Sequence, residues 1–471
     1  MNSELFASRG SGDKCPRKNI PNELILLAYL TVLHGLMFVY DLTHPNLFLN
    51  ADRASTRIES IKKFISLPHE HGPILDFVSS NGVPGDYFFQ ALLFQAGGQF
   101  LVIAGQVSLL LVSVLALYRL TLIVTHSRKL SLGAALLYAH LPASLVYAHL
   151  LCSEAIFDPL VVLGFYFIVR GYVQESNHGA RDAALSGTLF GVAALVRPVV
   201  APWSLLLAPW LLLGKLPYRR VMLYVLMSLL PVVLWMSFMF SQTGKFSMGE
   251  SFYDLGHNLY GRARTVFATM TTESRDAAET KLSFLADGDR RVLSLRAYLK
   301  LVTMYPKEFL KHTARDGFVY FSKSSLEQLT VHYFHLGGDE ASNDADIWRS
   351  QADTEGLWVA SVQFFKKHPF IVLSSIIAAL FLICLWGLFV LGASFVMLNK
   401  GKIFDLRQRT VLIALSIFPF FMFVVVALVS ISVPSRYRAP AEFAICIIAA
   451  VGWHFLRTFK HHALPSRIAA S

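Results

Sequence analysis

The run Phe100–Leu117, FLVIAGQVSLLLVSVLAL, decides the fold class, because no charged residue interrupts it. A helix of about 20 predominantly apolar residues crosses the hydrocarbon core of a bilayer. Comparable runs recur on both sides of this one, more often than the core of a soluble domain requires. The recurrence predicts an all-α polytopic membrane protein.

Composition supports lipid as the solvent. Of the 471 residues, 54% are hydrophobic and only 15% are charged, whereas a soluble domain has about a quarter charged residues. The net charge of +11 lies mostly in short loops between apolar runs, where basic residues orient a protein in a membrane. We therefore interpret the charge as topological and expect no nucleic-acid partner.

Apolar periodicity predicts ten membrane spans. They are Leu24–Leu42, Phe100–Leu117, Leu130–Leu151, Ala155–Val169, Ala183–Val196, Val199–Leu213, Val221–Phe240, Phe370–Met397, Val411–Ile431 and Tyr437–Leu456.

The basic residues predict the topology. If the N-terminal tail, with Arg9, Lys14, Arg17 and Lys18, is cytoplasmic, every loop assigned to the cytoplasm is basic. Those loops and the C-terminal tail contain Arg119, Arg128, Lys129, Arg170, Arg181, Lys215, Arg219, Arg220, Lys400, Lys402, Arg407, Arg409, Arg457, Lys460 and Arg467. Both termini are thus expected in the cytoplasm.

Two long segments then face the exterior and define the predicted domains. Residues 1–240 form an N-terminal transmembrane module whose first external loop, 43–99, has amphipathic helices at Ile58–Ile65 and Tyr87–Phe94. Residues 241–369 form a larger external domain with helix-like stretches such as Arg291–Met304. Residues 370–471 provide the last transmembrane helices and the cytoplasmic tail.

Two acids in the first external loop are the candidate catalytic residues. Asp52 precedes an amphipathic stretch soon after the first span, and Asp86 precedes the aromatic run at Tyr87. Either carboxylate could act as a general base. Each could instead cap the helix that follows it.

Arginines at the external helix ends are candidate ligands of a phosphate. Arg197 precedes Pro198, and Arg436 and Arg438 flank Tyr437. A guanidinium binds phosphate oxygens in a bidentate way, and external arginines run against the positive-inside bias. Interfacial snorkelling is the alternative.

Other polar residues of the external face could contact substrate. Glu154 stands at a turn between two spans, where the sequence favours a solvated turn residue over a contact with substrate. Tyr253 and His257 lie in a stretch of aromatic and hydrogen-bonding residues suited to sugar or phosphate recognition, or to an ordinary polar loop. The triplet His69-Glu70-His71 could ligate a divalent cation, although adjacent ligands rarely converge on one metal.

Short motifs in this order resemble bacterial GT-C glycosyltransferases, especially the group of protein O-mannosyltransferases and lipid A aminoarabinose transferases. The resemblance covers most of the chain at the level of helix order. It rests on the following residues: Asp52, Gly85-Asp86-Tyr87, Pro142, Glu154, Leu195-Val196-Arg197-Pro198 and Arg436-Tyr437-Arg438-Ala439-Pro440.

The resemblance implies a bundle of about 10 to 12 transmembrane helices and a polyprenyl-phosphate-linked sugar donor. It assigns the essential acid to Asp52, a second acid to Asp86, and the donor phosphate to the Arg436-Tyr437-Arg438 turn. Arg53 follows Asp52 where the family more often has a second acid and then a tyrosine. The expected acceptor is a lipid, a glycan or a protein, in the inner membrane, with chemistry on the periplasmic side.

Two other functions stay open from the sequence. A lipid or polysaccharide transporter would place charges deep in the spans and show repeat symmetry. A structural subunit of an envelope-building complex would use its charges for topology and assembly. No cofactor is indicated, apart from a divalent cation as one option.

Overall fold

A computed structural model describes residues 21–44, 58–59, 61–62, 85–174, 178–244, 246, 251–268, 270–286, 293–322, 357–398, 403–429 and 438–463. Nearly all of these residues are helical, and no strand occurs among them. The helices are α1 (Asn22–Thr43), α2 (Gly85–Thr125), α3 (Arg128–His140), α4 (Pro142–Tyr147), α5 (Glu154–Val173), α6 (Gly179–Val196), α7 (Ala201–Leu213), α8 (Tyr218–Thr243), α9 (Ser251–Phe267), α10 (Thr272–Leu285), α11 (Leu295–Met304), α12 (Pro306–Ser322), α13 (Leu357–Lys367), α14 (Pro369–Leu398), α15 (Leu406–Val429) and α16 (Ala439–Ala463).

Seven helices in the described part of the chain are long and apolar enough to cross a membrane. They are α1, α2, α5, α8, α14, α15 and α16. Large apolar side chains such as Leu36, Leu234 and Ile377 are exposed on these helices, as expected where lipid replaces water around the bundle. The prediction of an all-α, multi-spanning membrane protein is confirmed.

Three predicted spans differ from these seven helices. The span predicted over Leu130–Leu151 is two shorter helices, α3 and α4, separated at Pro142. Proline lacks an amide hydrogen and pushes the preceding residue towards extended backbone, and Leu141 has φ −61° and ψ 135°. Helices α6 and α7 cover the predicted spans Ala183–Val196 and Val199–Leu213. By length and hydropathy, neither is among the seven helices that could cross a membrane.

The second helix begins earlier than the predicted span. The amphipathic run Tyr87–Phe94 forms the first part of α2, which continues to Thr125 across a kink. Gly98 at the kink has φ +68°, a left-handed conformation that glycine adopts without steric cost. The kink separates a short amphipathic segment from the apolar segment that follows.

One hydrophobic core joins the membrane helices. Phe165 of α5 lies at its centre, with ring centroids 5.5 Å from Phe190, 5.2 Å from Phe418 and 5.1 Å from Phe443. Helices α14 and α16 meet where a Cβ added to Gly392 would lie 2.0 Å from the Ile448 carbonyl oxygen. Such close contacts between backbones bring membrane helices together in the absence of a hydrophobic driving force.

A second, smaller core lies in the predicted external domain. It is formed by α9, α10, α11 and the start of α12, with Phe267, Leu282, Leu301 and Phe309 among its buried residues. Helix α11 corresponds to the helix-like stretch expected at Arg291–Met304. The segment 241–369 therefore contains a packed helical unit within its described ranges.

Candidate functional site

Several helix termini converge at one end of the bundle, which we call the Glu154 end. It comprises the end of α1, the starts of α2 and α5, the end of α6 and the start of α16. A Cβ added to Gly85 would lie 2.7 Å from the Leu195 carbonyl oxygen, so α2 begins directly against the end of α6. Gln90 donates to the Cys152 carbonyl oxygen at 3.4 Å, which joins α2 to the turn before α5.

Arg197 and Glu154 form a buried ion pair at this end. Arg197 Nη2 lies 2.6 Å from Glu154 Oε1, and Arg197 Nε donates to Ser153 Oγ at 3.0 Å. The Glu154 side chain is fully buried and that of Arg197 is 14% exposed. Arg197 has extended backbone, with φ −146° and ψ 112°, because Pro198 follows it. The pair joins the end of α6 to the start of α5.

A second ion pair lies at the start of α16. Arg438 Nε donates to Glu442 Oε1 at 3.2 Å, and Arg438 Nη1 donates to the Tyr320 carbonyl oxygen at 2.5 Å. Both side chains of the pair are buried. The Tyr320 hydroxyl donates to the Pro419 carbonyl oxygen at 3.1 Å. Arg438 thereby links the bundle to helix α12 of the segment 241–369.

Asp158 connects the two ion pairs electrostatically. It lies one turn after Glu154, is buried, and interacts with Glu154, Arg197 and Glu442. Its Oδ1 and the Oε2 of Glu442 have no hydrogen-bond partner among the residues that the structure describes. Three carboxylates thus face two guanidinium groups in a region of low dielectric. A bound proton, a cation or the hydroxyl groups of a ligand would satisfy the remaining acceptors.

Asp86 belongs to the same end. It is buried in the first turn of α2, where the helix dipole stabilises a carboxylate. Its neighbour Gly85 brings this turn against Leu195, two residues before Arg197.

The predicted site residues fall into two groups. Asp86, Glu154, Arg197 and Arg438 all lie at the Glu154 end. Four of the other predicted residues lie outside the described residues: Asp52, Arg53, Arg436 and Tyr437. The last two, Tyr253 and His257, lie on α9, but the structure does not describe their side chains. The catalytic role of Asp52 therefore stays a prediction, as do the assigned roles of the other residues.

Sequence reasoning missed five buried ionisable residues near this end. Asp41 accepts a hydrogen bond from His149, and His149 in turn contacts His34. Asp158 and Glu442 are the other two. All five lie inside the predicted apolar spans, where an ionisable side chain is costly and by default functional. An ionisable residue within a predicted apolar span is the sequence signal that could have found all five.

No group of three or more metal-ligating side chains occurs among the described residues. The triplet His69-Glu70-His71 lies outside them. The option of a divalent cation at that triplet therefore stays a prediction.

The opposite end of the bundle, which we call the Glu23 end, contains a cavity of about 760 Å³. Arg119 Nε lies 3.3 Å from Glu23 Oε1 at its rim, and the two side chains are 57% and 32% exposed. Gln408 contacts His126 at 2.6 Å nearby. The cavity is lined by Glu23, Arg119, Leu122, Ile123, His126, Tyr166, Val173, Gln174 and Asp405.

The segment 241–369 has an ionic cluster of its own. Asp316 of α12 accepts hydrogen bonds from Arg262 of α9 and from His312, the latter at 3.2 Å. Partial burial raises the pKa of Asp316, but the hydrogen bonds and charges of His312 and Arg262 outweigh burial and leave that pKa below its usual value. Burial raises the pKa of Tyr320 on the same helix.

The Glu154 end thus combines buried carboxylates, guanidinium groups and acceptors that no described residue satisfies, all beside lipid-facing helices. Such a set can bind an anionic group through its arginines and accept protons or hydroxyl hydrogens through its carboxylates. Comparison with known proteins assigns no family: no protein-family model, no curated protein and no solved structure matches the chain.

Proposed function

We propose that this protein is a membrane-embedded glycosyltransferase that uses a polyprenyl-phosphate-linked sugar donor. One observation supports the proposal above the others: carboxylates and arginines converge at one end of a lipid-facing helix bundle. A lipid-linked phosphate sugar has its headgroup at that depth and its tail in the bilayer. The acceptor is a lipid, a glycan or a protein at the external face of the inner membrane, and the termini are cytoplasmic.

The proposed transfer inverts the anomeric carbon. The acceptor hydroxyl attacks that carbon, the bond to the phosphate oxygen breaks, and the hydroxyl proton passes to Asp52 as general base. Asp86 binds the acceptor or shares the role of base. The departing polyprenyl phosphate carries the negative charge that Arg197, Arg436 and Arg438 stabilise.

The described contacts suggest different tasks for the arginines. Arg197 is partly exposed, and Glu154 and Ser153 hold its guanidinium at a fixed position, which is the preorganisation that charge stabilisation needs. Arg438 is buried against Glu442. We propose that Arg438 sets the potential of the site and contacts the phosphate only after a local rearrangement.

The remaining predicted residues complete the proposed site. Arg53, Glu154, Tyr253, His257 and Tyr437 would contact the sugar or the acceptor. A divalent cation, if the donor requires one, would need ligands from beyond the described residues.

A transporter of lipids or polysaccharides is the second candidate, and the cavity at the Glu23 end favours it. A transported molecule needs a binding site accessible from each side of the membrane. The cavity provides a polar opening on the side opposite to the buried ionic cluster.

An assay of transfer separates the two candidates. Purified protein in detergent is incubated with a panel of radiolabelled polyprenyl-phosphate sugars and membrane lipid extract, as the wild type and as Asp52→Asn and Asp86→Asn. Asp405→Asn is the matched control. Asp405 caps α15 because its Oδ1 accepts a hydrogen bond from the backbone N–H of Gln408 at 2.7 Å, and asparagine caps a helix equally well.

Transfer by the wild type and the control, with loss in Asp52→Asn, supports the enzyme and its base. Equal transfer by Asp52→Asn removes that residue from the role. If no donor is used by any variant, the proposed activity is wrong and the transporter becomes the leading candidate.

A further inference from the structure

Three ionisable side chains form a continuous hydrogen-bonded chain inside the bundle, which we call the Asp41 chain. Asp41 Oδ2 lies 2.5 Å from His149 Nδ1, and His149 Nε2 lies 3.0 Å from His34 Nδ1. The two imidazole rings are stacked, with centroids 5.3 Å apart and planes at 9°. Neither Asp41 nor His149 is exposed at all. Helix α1 and the turn between α4 and α5 together provide these groups.

Both termini of the Asp41 chain lack partners. His34 Nε2 and Asp41 Oδ1 are buried, and neither atom has a hydrogen-bond partner among the described residues. No arginine or lysine of the described part pairs with Asp41, whose one ion pair there is with His149. His140, which contacts the Tyr29 hydroxyl at 2.6 Å, is the other titratable group that interacts with His34.

Charge balance then requires a proton. With Asp41 ionised and both imidazoles neutral, the carboxylate would be buried without a counter-charge from the described residues, which is strongly unfavourable in a low dielectric. One additional proton, on the Asp41–His149 pair, makes the chain electrically neutral. The short contact between Asp41 Oδ2 and His149 Nδ1 is where that proton balances the carboxylate best.

We propose that Asp41, His149 and His34 form a proton-binding site within the membrane, which holds one proton beyond those of an ionised carboxylate and two neutral imidazoles. The bound proton can move along the chain. His34 Nε2 takes up a proton, the Nδ1 hydrogen of His34 passes to His149 Nε2, and the Nδ1 hydrogen of His149 passes to Asp41 Oδ2. Each imidazole gains one proton and loses one, and Asp41 gains one, so the chain as a whole takes up a single proton and no further reactant is needed.

The site extends well into the membrane span. Asp41 lies near the end of α1 and His34 seven residues earlier, so the chain covers about 10 Å along the helix axis. His149 also belongs to the turn that ends at Ser153 and Glu154. This inference is independent of the proposed glycosyl transfer.

A purely structural role is the alternative, in which the same contacts hold the turn without an additional proton. The two roles differ in a measurable protonation state. At about pH 8, a histidine with an ordinary pKa of about 6.5 is neutral. A proton retained on the Asp41–His149 pair appears there either as a His149 imidazolium or as a protonated Asp41 carboxyl group.

Nitrogen-15 NMR of histidine-labelled protein in nanodiscs, with infrared spectra of the carboxyl region, tests the proposal at that pH. His149→Gln identifies the His149 signal, and Asp41→Asn removes the carboxylate while keeping its shape. His140→Gln is the matched control, because His140 interacts with His34 from outside the chain.

The expected result is a His149 imidazolium or a protonated-carboxyl band in the wild type and in His140→Gln, with both features absent from Asp41→Asn. A wild type with neutral histidines, and with no carboxyl band that Asp41→Asn removes, would overturn the proposal even if the variant does not fold. An imidazolium that persists in Asp41→Asn would overturn it too.

Discussion

Ion pairs at the two ends of the bundle differ in exposure, although the Glu23 end also has one pair with a buried carboxylate, Asp182 with the partly exposed Arg170. At the Glu154 end the ion pairs are buried: Glu154 with Arg197, and Glu442 with Arg438. At the Glu23 end, Arg119 and Glu23 form a pair at the rim of an open cavity and remain in contact with solvent.

Exposed charges can orient the protein in the membrane at little cost in free energy. Buried charges, in contrast, cost free energy because they lose their contact with water. An exposed ion pair contributes about 0 to 1 kcal/mol, and basic residues beside a membrane need only their charge to set topology. A buried pair requires the desolvation of both ions, which stability alone does not explain. The proposed function would give the buried charges of the Glu154 end a role that offsets this cost.

The largest contrast is expected between Arg197→Gln and its matched control, Arg119→Gln. Arg197→Gln removes the guanidinium that pairs with the buried Glu154, so the free energy of unfolding should fall by about 3 kcal/mol and transfer activity by about 100-fold. Arg119→Gln should lower stability by less than about 1 kcal/mol. Unfolding in detergent and the transfer assay measure both. Equal effects of the two variants on stability and transfer would contradict the distinction between the buried pair and the exposed pair.

Variants of the Arg438–Glu442 pair test whether the burial of charge is what lowers the free energy of unfolding. Arg438→Met and Glu442→Leu should each destabilise the protein by about 3 kcal/mol, because each removes the opposite charge beside a buried ion. The double variant should be more stable than either single variant, since neither ion of the pair is then buried without the other. A double-mutant cycle of unfolding free energies gives the coupling. Additive effects would mean that the two groups do not interact as the structure indicates.

The contact at the start of α2 offers a smaller geometric test. In Gly85→Ala the new Cβ would meet the backbone at Leu195, so α2 must shift and take Asp86 with it. We expect about a 10-fold loss of transfer, since small displacements of catalytic groups are costly, and a loss of stability of about 1 to 2 kcal/mol. Gly133→Ala is the control, because nothing lies within 4 Å of its new Cβ.

The last prediction concerns pH and the segment 241–369. The lowered pKa of Asp316 means that its ionised form stabilises the folded state. That contribution is complete above the unfolded pKa of about 3.9 and is lost as the pH falls through the folded value. Asp316→Asn should be less stable than the wild type at neutral pH, because it removes the carboxylate beside the buried Arg262, and the difference should shrink in acid. A difference that grows in acid would contradict the assigned contacts.

The sequence predicted what depends on local composition. Apolar runs located the helices, and the alternation of basic loops placed Asp86, Glu154, Arg197 and Arg438 at one end, where the described contacts bring all four. The helix break at Pro142 was missed because the apolar run continues through it, although proline carries a known signal.

Contacts between residues that are distant in the chain could not be predicted from the sequence. Asp41 and His149 are separated by 108 positions, and neither stands in a motif. Only packing of α1 against the turn before α5 brings them together. The burial of Arg438 against Tyr320 likewise depends on how α12 meets α15 and α16.

The central claim is that the lipid-linked donor binds at the Glu154 end, and photo-crosslinking tests it most directly. A polyprenyl phosphate with a photoreactive group beside the phosphate is bound to the wild type, irradiated, and mapped by mass spectrometry, with excess unlabelled lipid as competitor. We expect competed adducts in residues 148–158, 195–200 and 438–446. Competed adducts concentrated instead around Arg119 and Tyr166, in the cavity at the Glu23 end, would contradict the account.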